Sequence, residues 1–286
     1  MQVVPSRLFF TTSPSGQVEF SCFVTGVDSG TCAWSISSGD QVLTMEQPVP
    51  EGSGSGPLVL TAVLPAGWLD GVLRVEVDGY RAELSVTHPV RTTERFGLPL
   101  AGQQLVVGGH SIGEPHRMAT ALPSQQFAWD FVGLSQDRLA VLRGEPAAGL
   151  SVADFASFGA PVLAPAPGVV VTAMDGLPDT DMAIGPAPLD GDVTRAAGNH
   201  VVINHGAGVF SCLAHLKRSS VRVEEGQVVH RADPVGELGS SGNAFGPHVH
   251  LHFMDGPDLV TSNPLPVELD AEGTRFDPQA GQIIGP

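Results

Sequence analysis

The segment Gly246-Pro247-His248-Val249-His250-Leu251-His252-Phe253 sets three imidazoles against three apolar residues in alternation. Imidazole nitrogens bind transition metals and exchange protons near neutral pH. In a β-strand successive side chains point to opposite faces. The alternation therefore puts His248, His250 and His252 on one face and Val249, Leu251 and Phe253 on the other. Neighbouring imidazoles would stand roughly 6–7 Å apart along such a strand. A strand buried by its apolar side would thus present a rigid row of metal-binding and proton-transferring groups. Two further residues suit the same chemistry. His215 lies in Leu213-Ala214-His215-Leu216, and Asp130 lies between Trp129 and Phe131. A carboxylate in so apolar a context is costly to bury unless it is paired or holds a metal.

The elements that must position these groups are strands. Gly 35 and Pro 24 make up about a fifth of the 286 residues. Such a composition disfavours long helices and favours short strands joined by tight turns. Apolar alternating runs at Val18–Val24, Thr31–Ile36, Leu58–Leu64, Val72–Val77 and Ala82–Val86 have the spacing of an immunoglobulin-like β-sandwich over residues 1–88. Pro48–Pro57 reads as a loop, and His88-Pro89-Val90-Arg91 as a linker. The second domain, residues 92–286, holds seven of the ten histidines at or after His200. Its strand candidates are Leu105–Val107, Phe127–Val132, Val169–Met174, His200–Asn204, Val209–Leu216, Val221–Val223 and Pro247–Met254, with a further short strand expected after the turn at Glu224–Gln227. Asp175–Ala197 reads as a long acidic loop, the kind that is functional or mobile. The fold expected is mainly β: an N-terminal sandwich followed by an antiparallel sheet.

Net charge is −16, with 14 basic against 30 acidic residues. A polyanion such as nucleic acid is therefore excluded as a partner. No apolar run approaches the ~18 residues of a membrane-spanning helix. The start, MQVVPSRLFF, shows no signal peptide, which suits an intracellular chain or one that lacks its leader. Cys22, Cys32 and Cys212 form no C-x-x-C metal motif. Cys22 and Cys32 suit either a bridge between strands or two buried thiols.

Several segments together resemble the lysostaphin/LytM-type zinc metallopeptidases, family M23. They are Gly242-Asn243-Ala244-Phe245-Gly246-Pro247-His248-Val249-His250, Gly198–Gly206, Ala214-His215-Leu216, Val223–Val228 and Met254–Asp258. The resemblance spans roughly residues 95–269 and keeps the family's order. It implies a zinc-dependent endopeptidase that cleaves short peptide bonds of bacterial cell-wall peptidoglycan, often next to Gly. One Zn2+ per chain and a cell-envelope or extracellular location are implied with it. By the same resemblance His250 and Asp130 are zinc ligands. His215 and His248 flank the metal, polarise the attacking water and stabilise the oxyanion. His252 has no family role, and a structural one is expected.

One position departs from the family's H-x-x-x-D motif: Gln126 stands four residues before Asp130. Glutamine is a poor zinc ligand, so the third ligand must come from elsewhere. Gly109–Arg117 supplies two imidazoles, and His116 is favoured over His110. If neither reaches the metal, the domain is an inactive binding or activator module. A rival motif, Gly109-His110-Ser111-Ile112-Gly113, matches the G-x-S-x-G elbow of serine hydrolases. It lacks the following helix and the alternating β/α pattern that such an elbow requires.

Overall fold

The computed structural model describes residues 2–12, 18–25, 30–49, 58–64, 72–77, 80–85, 94–109, 116, 122–134, 151–180 and 192–286. The chain divides into two compact units, Met1–Val90 and Arg91–Pro286.

The first unit holds seven strands: β1 (Gln2–Thr12), β2 (Val18–Thr25), β3 (Gly30–Ser38), β4 (Gln41–Val49), β5 (Leu58–Leu64), β6 (Val72–Val77) and β7 (Tyr80–Ser85). They form two antiparallel sheets, ordered β1-β2-β5 and β4-β3-β6-β7. Alternation along β3 buries Cys32, Trp34 and Ile36, with Leu64, Val75 and Val77 equally enclosed. Two strands escaped the sequence reading, β1 and β4. Pro48 and Val49, expected in a loop, close β4, while residues 50–57 and the linker 88–91 lie outside the described residues. β2 and β3 belong to different sheets, so Cys22 and Cys32 are not on paired strands. The Cys22 side chain lies outside the described set.

The second unit continues with β8 (Phe96–Gly97), β9 (Gln104–Gly108), β10 (Trp129–Gly133), β11 (Pro161–Leu163), β12 (Gly168–Met174), β13 (Asn199–Asn204), β14 (Phe210–Leu216), β15 (Val228–Val229), β16 (Pro234–Glu237), β17 (Val249–Met254), β18 (Leu269–Ala271), β19 (Thr274–Phe276) and β20 (Ile283–Ile284). Eight of them form one antiparallel sheet, ordered β15-β12-β13-β14-β17-β10-β9-β20. β11 pairs with β16, and β18 joins β19 and, in parallel, β8. Val221–Val223, expected as a strand, is not one, because Asp175 takes the backbone of this stretch: its carboxylate accepts from Ser219 N–H and Val221 N–H. Among the described residues helical turns are short 3-10 segments, and no helix is long and apolar enough to cross a membrane.

β17, the histidine strand, lies between β14 and β10, and all six of its residues are buried. Its apolar side packs on Phe96, whose ring centroid is 4.5 Å from that of Phe253. The other side shares a face with Cys212 and Ala214 of β14, the register partners of His252 and His250. Leu122, Ala197, Leu259 and Met254 join Cys212 and Ala214 in one buried cluster. The histidine face is therefore a second core face rather than an open polar row.

Candidate metal centre

Three residues from different parts of the chain converge at one end of β10 and β17. Asp130 and His250 are register partners across those strands. His250 Nδ1 lies 3.0 Å from Asp130 Oδ1, and His116 Nε2 lies 3.2 Å from Asp130 Oδ2. The His116 and His250 rings meet edge to face at 4.8 Å. One ligand atom from each of His116, Asp130 and His250 falls within a 4.8 Å cluster. Gln126, at the position where the family motif has a histidine, is fully buried. His110, the alternative upstream ligand, and Ser111 of the hydrolase-like elbow lie outside the described residues.

The sheet is locally adapted to this cluster. Register slips between β9 and β10 at Asp130, which faces Gly108. A β-bulge of this kind re-aims the side chain beside it. A Cβ on Gly108 would stand 2.7 Å from Asp130 Oδ2 and 3.2 Å from His116 Cε1. Only a residue without a side chain leaves room for the carboxylate and the imidazole together. Two imidazoles and a carboxylate are the ligand set that a catalytic zinc takes from protein. The donor chemistry and the space kept open at Gly108 fit that ion.

Two more histidines border the cluster. His215 and His248 have ring centroids 4.6 Å apart, and His215 is 5.7 Å from His250. His248 Nε2 approaches Asp130 Oδ1 at 3.6 Å. Backbone carbonyls orient both rings: the Nδ1 of His215 meets Ser241 O at 2.8 Å, and that of His248 meets Gly246 O at 2.8 Å. A carbonyl only accepts, so in each ring Nδ1 carries the proton and a neutral ring keeps its lone pair on Nε2. His215 also occupies a left-handed backbone conformation, φ 62°. It sits where β14 carries an extra residue opposite β13, between the Asn199↔Leu216 and Val201↔Leu213 pairs. A non-glycine residue there costs about 1–3 kcal/mol, which the surrounding structure must offset.

Electrostatics follow from the crowding. Burial alone would raise the Asp130 carboxyl, but charge on His248 and His116 and hydrogen bonds from His116 and His250 hold it well below the usual carboxylate range. Burial, then the neighbouring His248 and His250, pushes His215 well below an ordinary histidine. Burial likewise lowers His250, with Asp130 opposing. His252 is driven well down by burial and then by His250. Asp130 is thus held anionic beside a His250 ring that burial biases toward neutrality, the protonation states that metal ligands require.

A groove of about 560 Å³ opens over the cluster. Its floor includes His116, Asp130, His215, His248 and His250, and its walls include Val107, Phe155, Ala196 and the exposed ring of Phe245. Of the acidic loop, residues 181–191 lie outside the described set, and Ala196 reaches the groove. Its described aspartates turn to the backbone instead: Asp179 accepts from Arg218 N–H and Ser240 N–H, and Asp192 accepts from Thr194 N–H. Sequence reasoning missed Gly108, the Ser241 carbonyl and the Phe155 wall. The Gly108-Gly109 pair at the end of an apolar run was the available signal for the first.

Residues 148–264 match the family model for Peptidase family M23. That stretch contains His215, His248 and His250; His116 and Asp130 lie upstream of it. Two Vibrio cholerae proteins are similar in sequence. Peptidoglycan DD-endopeptidase ShyA is 43% identical over 58 residues, 20% of this chain and 13% of that protein. Peptidoglycan DD-endopeptidase ShyC is 33% identical over 88 residues, 31% of this chain and 18% of that protein. The matches thus span under a fifth of the length of either relative. Among solved structures, the catalytic domain of lysostaphin from Staphylococcus simulans aligns at 19% identity over 57% of this chain and 88% of that one. Its TM-score of 0.32 is too low to bear on the site.

Proposed function

We propose, from the match of residues 148–264 to the Peptidase family M23 model, that the chain is a zinc-dependent endopeptidase cleaving short, glycine-containing peptides of bacterial cell-wall peptidoglycan. The observation that carries the reading is the convergence of His116, Asp130 and His250 on one 4.8 Å cluster, at the floor of a groove flanked by His215 and His248. His116 Nε2, an Asp130 oxygen and His250 Nδ1 would hold one zinc per chain. When bound, zinc supplies a Lewis acid for the scissile carbonyl and lowers the pKa of water toward about 7.

The chain's own groups do the rest. His215, kept neutral by burial and held by Ser241 O, has its Nε2 lone pair available to take a proton from the attacking water. His248, held by Gly246 O, supplies a donor to the developing oxyanion when both of its nitrogens are protonated. The groove has apolar walls and room for an extended peptide with small side chains. The site then acts at the cell envelope or outside the cell. The inactive-module alternative rests on Gln126; the approach of His116 to Asp130 at 3.2 Å favours the enzyme.

The test is digestion of purified peptidoglycan and of a pentaglycine peptide by the zinc-supplemented full chain, with fragments identified by mass spectrometry. Peptide-bond cleavage is expected in the wild type and its loss in His215→Ala and His248→Ala. Intact substrate after incubation with zinc-loaded wild type overturns the proposal.

A further inference from the structure

His252 is the one histidine of the 248–252 row without an assigned part. It follows His250 by two positions in β17, so its ring falls on the same face. The two rings meet edge to face at 5.1 Å, and His250 Nε2 lies 2.9 Å from His252 Nδ1. At that separation one proton lies between the two nitrogens, carried by one ring or the other. The other nitrogen of His250, Nδ1, faces Asp130 Oδ1 at 3.0 Å, on the metal side. The other nitrogen of His252, Nε2, is buried without a hydrogen-bond partner among the described residues. His252 is one of the residues that line a small cavity of about 20 Å³, together with Ser124, Gln125, His215 and His250. A cavity of that size holds one water.

Two tautomer pairs satisfy this geometry. In one, His250 Nδ1–H donates to Asp130, and His250 Nε2 accepts from His252 Nδ1–H. In the other, His250 Nδ1 carries a lone pair, Nε2–H donates to His252 Nδ1, and the second proton sits on His252 Nε2. Only the second leaves His250 able to bind a cation through the nitrogen that faces Asp130. Both pairs hold two protons, so passing between them moves protons without releasing any.

Resting on the zinc reading above, we infer that His252 is a positioning residue that locks His250 in its Nε2–H tautomer, and that loading the metal site drives the pair from the first arrangement to the second. A second imidazole behind a ligand histidine plays the part that a carboxylate or carbonyl takes in other metal sites. It differs from a carbonyl in one respect. A carbonyl can only accept, whereas His252 can satisfy His250 in both the empty and the loaded state.

The test uses the full chain, with 15N spectra of the ring nitrogens in zinc-free and zinc-loaded wild type and zinc affinity by chelator competition. His252 is expected to carry its proton on Nδ1 without zinc and on Nε2 with it. His252→Leu, which keeps bulk and removes the acceptor, is expected to bind zinc about 10–100-fold more weakly. His252→Gln, whose Oε1 can accept from His250 Nε2–H, is expected to recover most of that loss. If Leu does not fold, the wild-type spectra and the Gln variant still decide. A His252 proton fixed on Nδ1 in the loaded protein overturns the inference, as does equal affinity in all three proteins, or equal weakening in Leu and Gln. Those outcomes leave the zinc reading intact; a wild type that takes up no zinc overturns both.

Discussion

Replacing Gly108 with alanine tests whether the space beside Asp130 is part of the metal centre. The added methyl would sit 2.7 Å from Asp130 Oδ2 and 3.2 Å from His116 Cε1. Ordinary van der Waals contact begins near 3.4 Å, so the carboxylate must retreat by about 0.7 Å, and it cannot do so without loosening its bonds to His116 and His250. The backbone of Gly108 is not in the left-handed region, so alanine brings no conformational strain of its own. The cost therefore falls on the site. Displacements of about 1 Å in a constellation of this kind cost on the order of 10²-fold in function, and disturbed ligand support costs about 10–100-fold in metal affinity. Gly108→Ala is expected to weaken zinc binding by about that factor, and to lower the denaturation midpoint of the zinc-free protein as well, because the same Asp130 bonds are loosened there. The assay is competition against a calibrated chelator, with urea unfolding of the metal-free proteins alongside. Gly109→Ala is the control, since among the described residues its Cβ would meet Ala280 alone, at 3.4 Å. Wild-type zinc affinity in Gly108→Ala would refute the reasoning, because Asp130 could then be displaced without consequence for the metal.

Other perturbations separate binding from chemistry and from stability. His215→Ala and His248→Ala are each expected to lower kcat by about 10²–10⁴-fold while retaining zinc, read by turnover of a fluorogenic peptide and by metal content. Ser241→Ala removes a hydroxyl that donates to Leu216 O and accepts from Asn199 N–H, and is expected to cost about 1–3 kcal/mol in urea unfolding. Acid is expected to destabilise the metal-free protein in two stages, followed by thermal melting against pH. His215, His250 and His252 are lowered from 6.5, so below that pH the unfolded chain binds protons that the native state refuses, and stability falls. Asp130 is lowered from 3.8, so its contribution is present above that pH and is lost as pH drops toward its native value. A melting curve flat from pH 7 to pH 5 would contradict the burial of these rings.

How much of this the sequence revealed depends on the range of the interaction. Alternation identified β17 and the pairing of His250 and His252 on one face, because strand periodicity is local. It could not show that this face is enclosed, since that depends on β14 and on Leu122, Ala197 and Leu259, all distant in sequence. Asp130 was legible as an expensive charge between two aromatics. Its exact neighbours were not, because they are set by the register slip opposite Gly108. The segment around His116 has no periodicity to read, so spacing alone could not choose it over His110. His215 was expected on an ordinary strand; its left-handed backbone follows from one extra residue in β14, which only pairing with β13 defines. The acidic loop misled in a simple way. Asp175 and Asp179 were read as part of a functional or mobile loop, yet their carboxylates bind backbone N–H groups of the segments at 218–221 and at Ser240.

The central claim is that His116, Asp130 and His250 hold one zinc ion. It is tested most directly by metal content after saturation and removal of excess, in the wild type and in His116→Ala, Asp130→Ala and His250→Ala, with circular dichroism to establish folding. One zinc per chain in the wild type and substoichiometric zinc in each folded variant is the predicted result. A wild type without stoichiometric zinc, or a His250→Ala protein that keeps it, would contradict the account.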